Sequence, residues 1–106
     1  FVRQLEKADV IYLHGGHTGK LLETIKKFSH LRDLLKGKIV AGDSAGANIL
    51  CSAFYSLRIG AHKGLGIIPI KIICHYTEEN KNKLKDLLPN VETLNLPEYQ
   101  FKVYNI

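Results

Sequence analysis

Apolar residues fall into two rhythms along this chain. Asp9 to His14 is a short, β-branched apolar run that predicts a buried strand, and Gly15-Gly16 stops it. Thr18 reads as an N-cap. Leu21, Leu22, Ile25 and Phe28 then recur at helical spacing, which predicts a helix from Gly19 to about Phe28. Ser29 to Leu35 predicts a second helical stretch, closed by Gly37. Lys38 to Gly42 predicts a strand, and the small apolar residues Ala45 to Ala53 a buried helix. Ile70 to Cys74 predicts a third strand. Glu78 to Leu88 predicts an amphipathic helix with Leu84, Leu87 and Leu88 inward, ended by Pro89-Asn90. Val91 to Leu94 and Phe101 to Tyr104 predict two further strands. Strands alternating with helices imply an α/β fold whose mostly parallel sheet is covered on both faces.

The 106 residues fit one domain with a modest core, and 45% hydrophobic with 24% charged residues is ordinary for a globular protein. No internal repeat, low-complexity segment or linker divides the chain. The sequence contains no Met, and the opening Phe1-Val2-Arg3-Gln4-Leu5 does not read as a natural start, so the expectation is a piece of a longer protein. No apolar run is long enough to span a bilayer; Ile67 to Cys74 is interrupted by Pro69 and Lys71. No signal-peptide pattern is present, and the two cysteines, Cys51 and Cys74, sit in apolar surroundings as buried free thiols. These features point to a cytoplasmic protein with no membrane partner.

The formal net charge is +5. The lysines are scattered, with local clusters at Lys26-Lys27 and at Lys81, Lys83 and Lys85 that read as solvated faces. Neither interleaved basic and aromatic residues nor zinc-ligand spacing occurs, so no nucleic-acid partner and no metal are expected.

The chemistry-bearing stretch is Gly42-Asp43-Ser44-Ala45-Gly46, between a predicted strand and a predicted helix. That is the setting of a nucleophile elbow, in which a tight turn lifts a serine hydroxyl above the sheet edge and the flanking glycines make room for it. The alternative is a small-residue turn that only packs tightly. As nucleophile, Ser44 would have the N–H of Ala45 beside it as one oxyanion donor. Gly15-Gly16, at the carboxyl end of the preceding strand, offers the N–H of Gly16 as a second, unless it is a plain strand-to-helix turn. His17 and Thr18 in the same turn are candidate substrate contacts. A phosphate-binding loop is excluded there, because it needs Gly at position 14 and Ser or Thr at position 21, where the chain has His14 and Leu21.

A serine nucleophile needs a base, and the base an acid. Of the five histidines, His30 and His62 lie in basic loops or turns, and His14 and His17 flank the Gly-Gly turn. His75 ends a strand at the same carboxyl edge as Ser44, which favours it as base; a strand-end histidine without a role is the alternative. No Asp or Glu lies between Ser44 and His75, so the acid falls elsewhere, most simply after His75. Glu78, Glu79, Asp86 and Glu92 read as solvated charges. Glu98 follows Leu96-Pro97 on a loop that could aim back at the site, and from the residues alone it is one candidate.

Taken together, Leu5-Glu6-Lys7-Ala8-Asp9-Val10-Ile11, the Gly15-Gly16-x-Thr18 turn, Gly42-x-Ser44-Ala45-Gly46-Ala47-Asn48, Pro69 followed by His75-Tyr76, and Asn95-Leu96-Pro97-Glu98 resemble the peptidase E (aspartyl dipeptidase) family over about Leu5 to Tyr104. The resemblance implies a three-layer flavodoxin-like sandwich similar to class I glutamine amidotransferases. It implies a serine exopeptidase acting on small peptides, with Ser44 as nucleophile, His75 as base, Glu98 as acid, the N–H groups of Gly16 and Ala45 as oxyanion hole, and no cofactor. Residues 1–106 would then be one partial catalytic domain, since the family's first strands and helices have no counterpart here. His14 and His17 replace a Gly and an Asn of the family turn. Thr77-Glu78-Glu79-Asn80-Lys81 lacks the family's arginines, so nothing here supplies the bidentate grip on an N-terminal aspartate.

Two other readings accompany this one. His14-Gly15-Gly16-His17 with Gly42-Asp43-Ser44-Ala45-Gly46 is similar to the hormone-sensitive-lipase type of carboxylesterase. The short separation of the two blocks and the lack of an acid between Ser44 and His75 argue against it. The other is a truncated, inactive homologue that serves as a binding module. The oligomeric state is open.

Overall fold

A computed structural model of the chain describes residues 2–28 and 30–105. Ser29, placed by sequence in the second helical stretch, lies outside the described residues, as does Phe1 at the start of the chain.

The elements run α1 (Val2–Lys7), β1 (Val10–Leu13), α2 (Thr18–Lys26), α3 (Leu31–Leu35), β2 (Ile39–Gly42), α4 (Ala45–Leu50), β3 (Cys51–Ser56), β4 (Gly60–Lys63), β5 (Ile68–Cys74) and β6 (Thr93–Leu96). β1 and β2 form a parallel pair with Val10 opposite Ile39 and Leu13 opposite Gly42. The other four strands form a sheet in the order β4-β3-β5-β6. There β3 runs parallel to β5 and β5 parallel to β6, and the β3–β4 hairpin alone is antiparallel. The molecule is thus α/β with mostly parallel strands, divided between two sheets.

α4 joins the two sheets. It packs against β1, β2, β3 and β5, and Ala45 and Ile49 are fully buried at 0% exposure. Below it the core continues through Leu50, Phe54, Ile67, Ile70 and Ile72, and on the other side through Leu5, Ile11, Leu22, Ile25, Leu31 and Leu35. The inward positions of β1 carry Ile11. Val10, Tyr12 and Ile39 lie on the opposite face of the β1–β2 pair and are exposed.

Several elements differ from the sequence expectation. The helix expected over Ala45 to Ala53 stops at Leu50, because Cys51, Ala53 and Phe54 are drawn into β3, where all three are buried between paired strands. The turn after Ser56 opens the β3–β4 hairpin, and His62 lies in β4 with its ring stacked near Phe54, not in a loop. β5 starts at Ile68, two residues earlier than expected, and β6 covers Thr93–Leu96 instead of 91 to 94.

The expected helix over Glu78 to Leu88 is a short 3₁₀ turn at Glu78–Asn80 followed by a series of turns. Lys71 on β5 reaches into this segment. Its side chain is 2% exposed, and its buried ammonium donates to the carbonyls of Leu84 at 2.8 Å and Leu87 at 2.9 Å. A buried cation needs such acceptors, and the segment's backbone bonds are of the tight i→i+3 kind, such as Lys83 N–H to Asn80 O and Leu87 N–H to Leu84 O. Leu84 still points inward at 1% exposure. Phe101 to Tyr104 forms no strand; Phe101 and Val103 are exposed. Thr18 is the first residue of α2 and not its cap; His17 caps the helix, its Nδ1 accepting from the Lys20 N–H at 3.2 Å.

Candidate active site

The nucleophile elbow is built where β2 hands over to α4. The Asp43 N–H donates to Leu13 O at 3.1 Å and so extends the β1–β2 ladder one step past Gly42. The Asp43 carbonyl accepts from Gly46 N–H at 2.8 Å and the Ser44 carbonyl from Asn48 N–H at 2.9 Å, which starts the helix at once. Between them Ser44 takes φ 46° and ψ −109°. A side-chain-bearing residue adopts such a backbone only at a cost of roughly 1–3 kcal/mol, and strain of this kind gathers at functional positions. Gly46 lets the start of α4 lie directly against β1: a Cβ there would lie 2.0 Å from Leu13 O.

The second sheet brings up His75 and Glu98, the candidate base and acid. In the β5–β6 register Cys74 stands opposite Leu96, so His75 and Glu98 emerge side by side just beyond the strand ends. The Tyr76 N–H adds a bond to Leu96 O at 3.2 Å. His75 leaves the strand with φ 53°. Its Nε2 lies 2.9 Å from Ser44 Oγ, and its Nδ1 is hydrogen-bonded to Glu98 Oε1. The protonation pattern follows from the partners. An ionised carboxylate only accepts, so Nδ1 carries the hydrogen. In a neutral ring Nε2 is then the acceptor, and Ser44 O–H donates to it. Both side chains stay open to solvent, His75 at 59% and Glu98 at 61% exposure. The three residues line a groove of about 1030 Å³ with walls that also include Val40, Ile70, Ile72 and Leu94.

The remaining sequence candidates are placed as follows. Ala45 is the first residue of α4, so its N–H has no acceptor within the helix. Gly16 lies in the turn after β1 with φ 157°. Thr18 is buried at 5% exposure, and its Oγ1 accepts from Asn48 Nδ2 at 3.3 Å, a bond that pins α2 to α4. His17 is engaged in capping α2. The structure thus brings Ser44, His75 and Glu98 into one row and gives Thr18 and His17 bonds within the fold. His30 precedes α3 as its N-terminal boundary residue. Glu78, Glu79, Asp86 and Glu92 are exposed, as are the lysines of both clusters.

The row has neighbours whose contacts with it the sequence did not mark. Tyr12 O–H donates to Asp43 Oδ2 at 2.5 Å, and His14 Nδ1 stands 3.6 Å from the same oxygen. The Tyr12 bond first, and then the nearby His14, hold the Asp43 carboxyl below its ordinary range; the same bond pushes the Tyr12 hydroxyl up. Cys74 lies under the elbow with its Sγ 3.7 Å from Ser44 O. Burial pushes its thiol up to about 12, as it does that of Cys51, so neither is a ready thiolate. Asn48 belongs to the motif block read from the sequence, but its bond to Thr18 is visible only once the helices pack. Among the described residues no three His, Cys, Asp or Glu side chains are grouped to hold a metal ion, and no helix is long and apolar enough to cross a membrane.

An α/β chain with a hydroxyl, an imidazole and a carboxylate in a row at the carboxyl ends of its strands has the architecture of a hydrolase. Comparison with family models makes the class specific: the model of Peptidase family S51 matches residues 1–98, and the chain belongs to that family, the peptidase E family. No curated protein matches the chain.

Proposed function

We propose that this chain is a serine-type peptidase that cleaves small peptides through an acyl-serine intermediate. The observation that carries the reading is the row itself: Ser44 Oγ 2.9 Å from His75 Nε2, with the opposite ring nitrogen on Glu98. Membership of a peptidase family supports it.

Ser44 Oγ attacks the scissile carbonyl carbon while its proton passes to His75 Nε2. The charge left on the imidazole is balanced by Glu98 across Nδ1. The carbonyl oxygen becomes an oxyanion held by the N–H groups of Ala45 and Gly16, each contributing about 3 kcal/mol to the transition state. His75 returns the proton to the leaving amine as the C–N bond breaks. A water, deprotonated by the same ring, then releases the acyl group from Ser44. Strain at Ser44 presents Oγ above the strand ends before substrate arrives. The chain order of serine, histidine and acid favours this reading over the esterase one.

Preference for an N-terminal aspartate is a separate matter. Arg32 is the arginine that lines the groove, and its guanidinium donates to Gly66 O at 2.7 Å. The reading therefore rests on small peptides in general.

The test is hydrolysis of Asp-Leu, Leu-Leu and p-nitrophenyl acetate by the protein and by Ser44→Ala, with fluorophosphonate labelling of Ser44 in parallel. Peptide turnover and labelling, both lost in a folded Ser44→Ala, are expected. Undiminished turnover in Ser44→Ala would sink the scheme, and turnover of the ester with neither dipeptide would move the assignment to an esterase.

A further inference from the structure

Asp43 immediately precedes the nucleophile, yet most of its bonds go to the other strand. Its backbone N–H donates to Leu13 O. Its carboxylate takes the Tyr12 hydroxyl on Oδ2, with His14 near the same oxygen. The other oxygen, Oδ1, lies against Gly15. A Cβ on Gly15 would sit 2.8 Å from Asp43 Oδ1 and 3.3 Å from Ser44 Cβ. The Gly15 N–H is also one of the groups that favour the ionised carboxylate. Tyr12, His14 and Gly15 therefore meet the Asp43 side chain and Leu13 its backbone N–H, and the next residue is Gly16.

We infer that Asp43 is a positioning residue that ties the Gly15-Gly16 turn to the Ser44 elbow and so holds the Gly16 N–H at its oxyanion position. The inference rests on the peptidase reading above. The physical need is plain. The two oxyanion donors come from different segments, Ala45 from α4 and Gly16 from the turn after β1. Gly16 has open space around the position of a Cβ, so no side-chain packing at that residue fixes the turn. A donor displaced by about 1 Å loses most of its value in the transition state. A charged acceptor on the elbow itself keeps turn and nucleophile in one frame. Tyr12 completes the device by holding the carboxylate from the exposed face of β1.

Three variants test this: Asp43→Ala, Asp43→Asn and Tyr12→Phe, each assayed for kcat and KM on p-nitrophenyl acetate, with amide hydrogen exchange at Gly15 and Gly16. Asp43→Ala is expected to lower kcat by about 100-fold, the loss of one oxyanion donor, with KM little changed. Asp43→Asn keeps an acceptor oxygen and is expected to restore most of that rate. Tyr12→Phe is expected to lower kcat by less than Asp43→Ala, and it serves as the decisive variant if Asp43→Ala does not fold. Both amides are expected to exchange faster in Asp43→Ala. Unchanged kcat with unchanged exchange, or a loss that appears only in KM, would overturn the inference, as would an Asp43→Asn as slow as Asp43→Ala. A protein that neither turns over the ester nor labels at Ser44 would defeat the peptidase reading instead; faster exchange in Asp43→Ala then still decides whether Asp43 holds the turn.

Discussion

The two sheets meet at the active-site row but are built on different physics. The four-stranded sheet buries its central strands: Ala53, Phe54 and Ile73 are at 0% exposure and Ile72 at 3%. It presents His75 and Glu98 from paired, in-register strand ends. The β1–β2 pair has two short strands, with Val10, Tyr12 and Ile39 on an exposed face, yet it presents Ser44 and the Gly-Gly turn. His75 and Glu98 are fixed by a ladder. Ser44 is fixed by α4, by its own strained backbone and by neighbouring side-chain bonds such as Tyr12 to Asp43. Cross-strand pairing on a buried sheet tolerates little movement, whereas a two-stranded pair is stable only through what packs on it. The Ser44–His75 contact therefore joins a firm platform to a lighter one.

The sharpest way to break the comparison is at the acid. Glu98→Gln removes the charge and lets the ring take the opposite tautomer, with Nε2 protonated and unable to accept from Ser44. Turnover is expected to fall on the order of 10⁴-fold with the fold intact, measured as kcat on p-nitrophenyl acetate beside a thermal melt. A fall of less than tenfold would remove Glu98 from the row.

Next is the platform. Phe54→Ala empties a fully buried site and is expected to cost about 3–5 kcal/mol in urea unfolding. Ile39→Thr on the exposed face of β2 keeps a β-branched residue and is expected to change stability by less than about 0.5 kcal/mol. Equal costs for the two would mean that the sheets are equally loaded and that the contrast drawn here is wrong.

The smallest effect is expected from the thiols. With both pushed up to about 12, Cys51 and Cys74 carry on the order of 10⁻⁴ thiolate at pH 8. Iodoacetamide at pH 8 should leave both unmodified and turnover unchanged, with labelling only after denaturation, as mass spectrometry would report. The sign follows from the raised values. Folding favours the neutral thiols, so their contribution to stability is complete below the unfolded value near 9 and is lost as pH rises toward 12. Rapid alkylation of Cys74 alone would show that β5 opens at its active-site end.

Much of this was legible in the residues, unevenly. The elbow was readable because its requirements are local: a strand, a tight turn and a small-residue helix leave their mark at Gly42, Ser44 and Gly46. β1, β2 and α2 were readable for the same reason, since a short β-branched run or an apolar stripe declares its own period. The segment 78–88 was misread because its leucines fall at helical spacing while its backbone closes in i→i+3 turns, and its contact with Lys71 has no local signal. β3 was misread because a small apolar run serves a buried helix or a buried strand equally well. His17 and Thr18, read as substrate contacts, make bonds within the fold whose partners the sequence does not name.

By itself, the sequence determined the alternating α/β plan, the elbow, and a short list of groups able to serve as base and acid. It could do so because backbone strain, periodicity and chain order are properties of neighbours in the chain. Tertiary structure alone decided that the strands divide into two sheets, that the β5–β6 register sets His75 beside Glu98, and that Asp43 reaches back to Tyr12 and the Gly-Gly turn. Those are contacts between residues far apart in sequence, and only packing can select them from the many that composition allows.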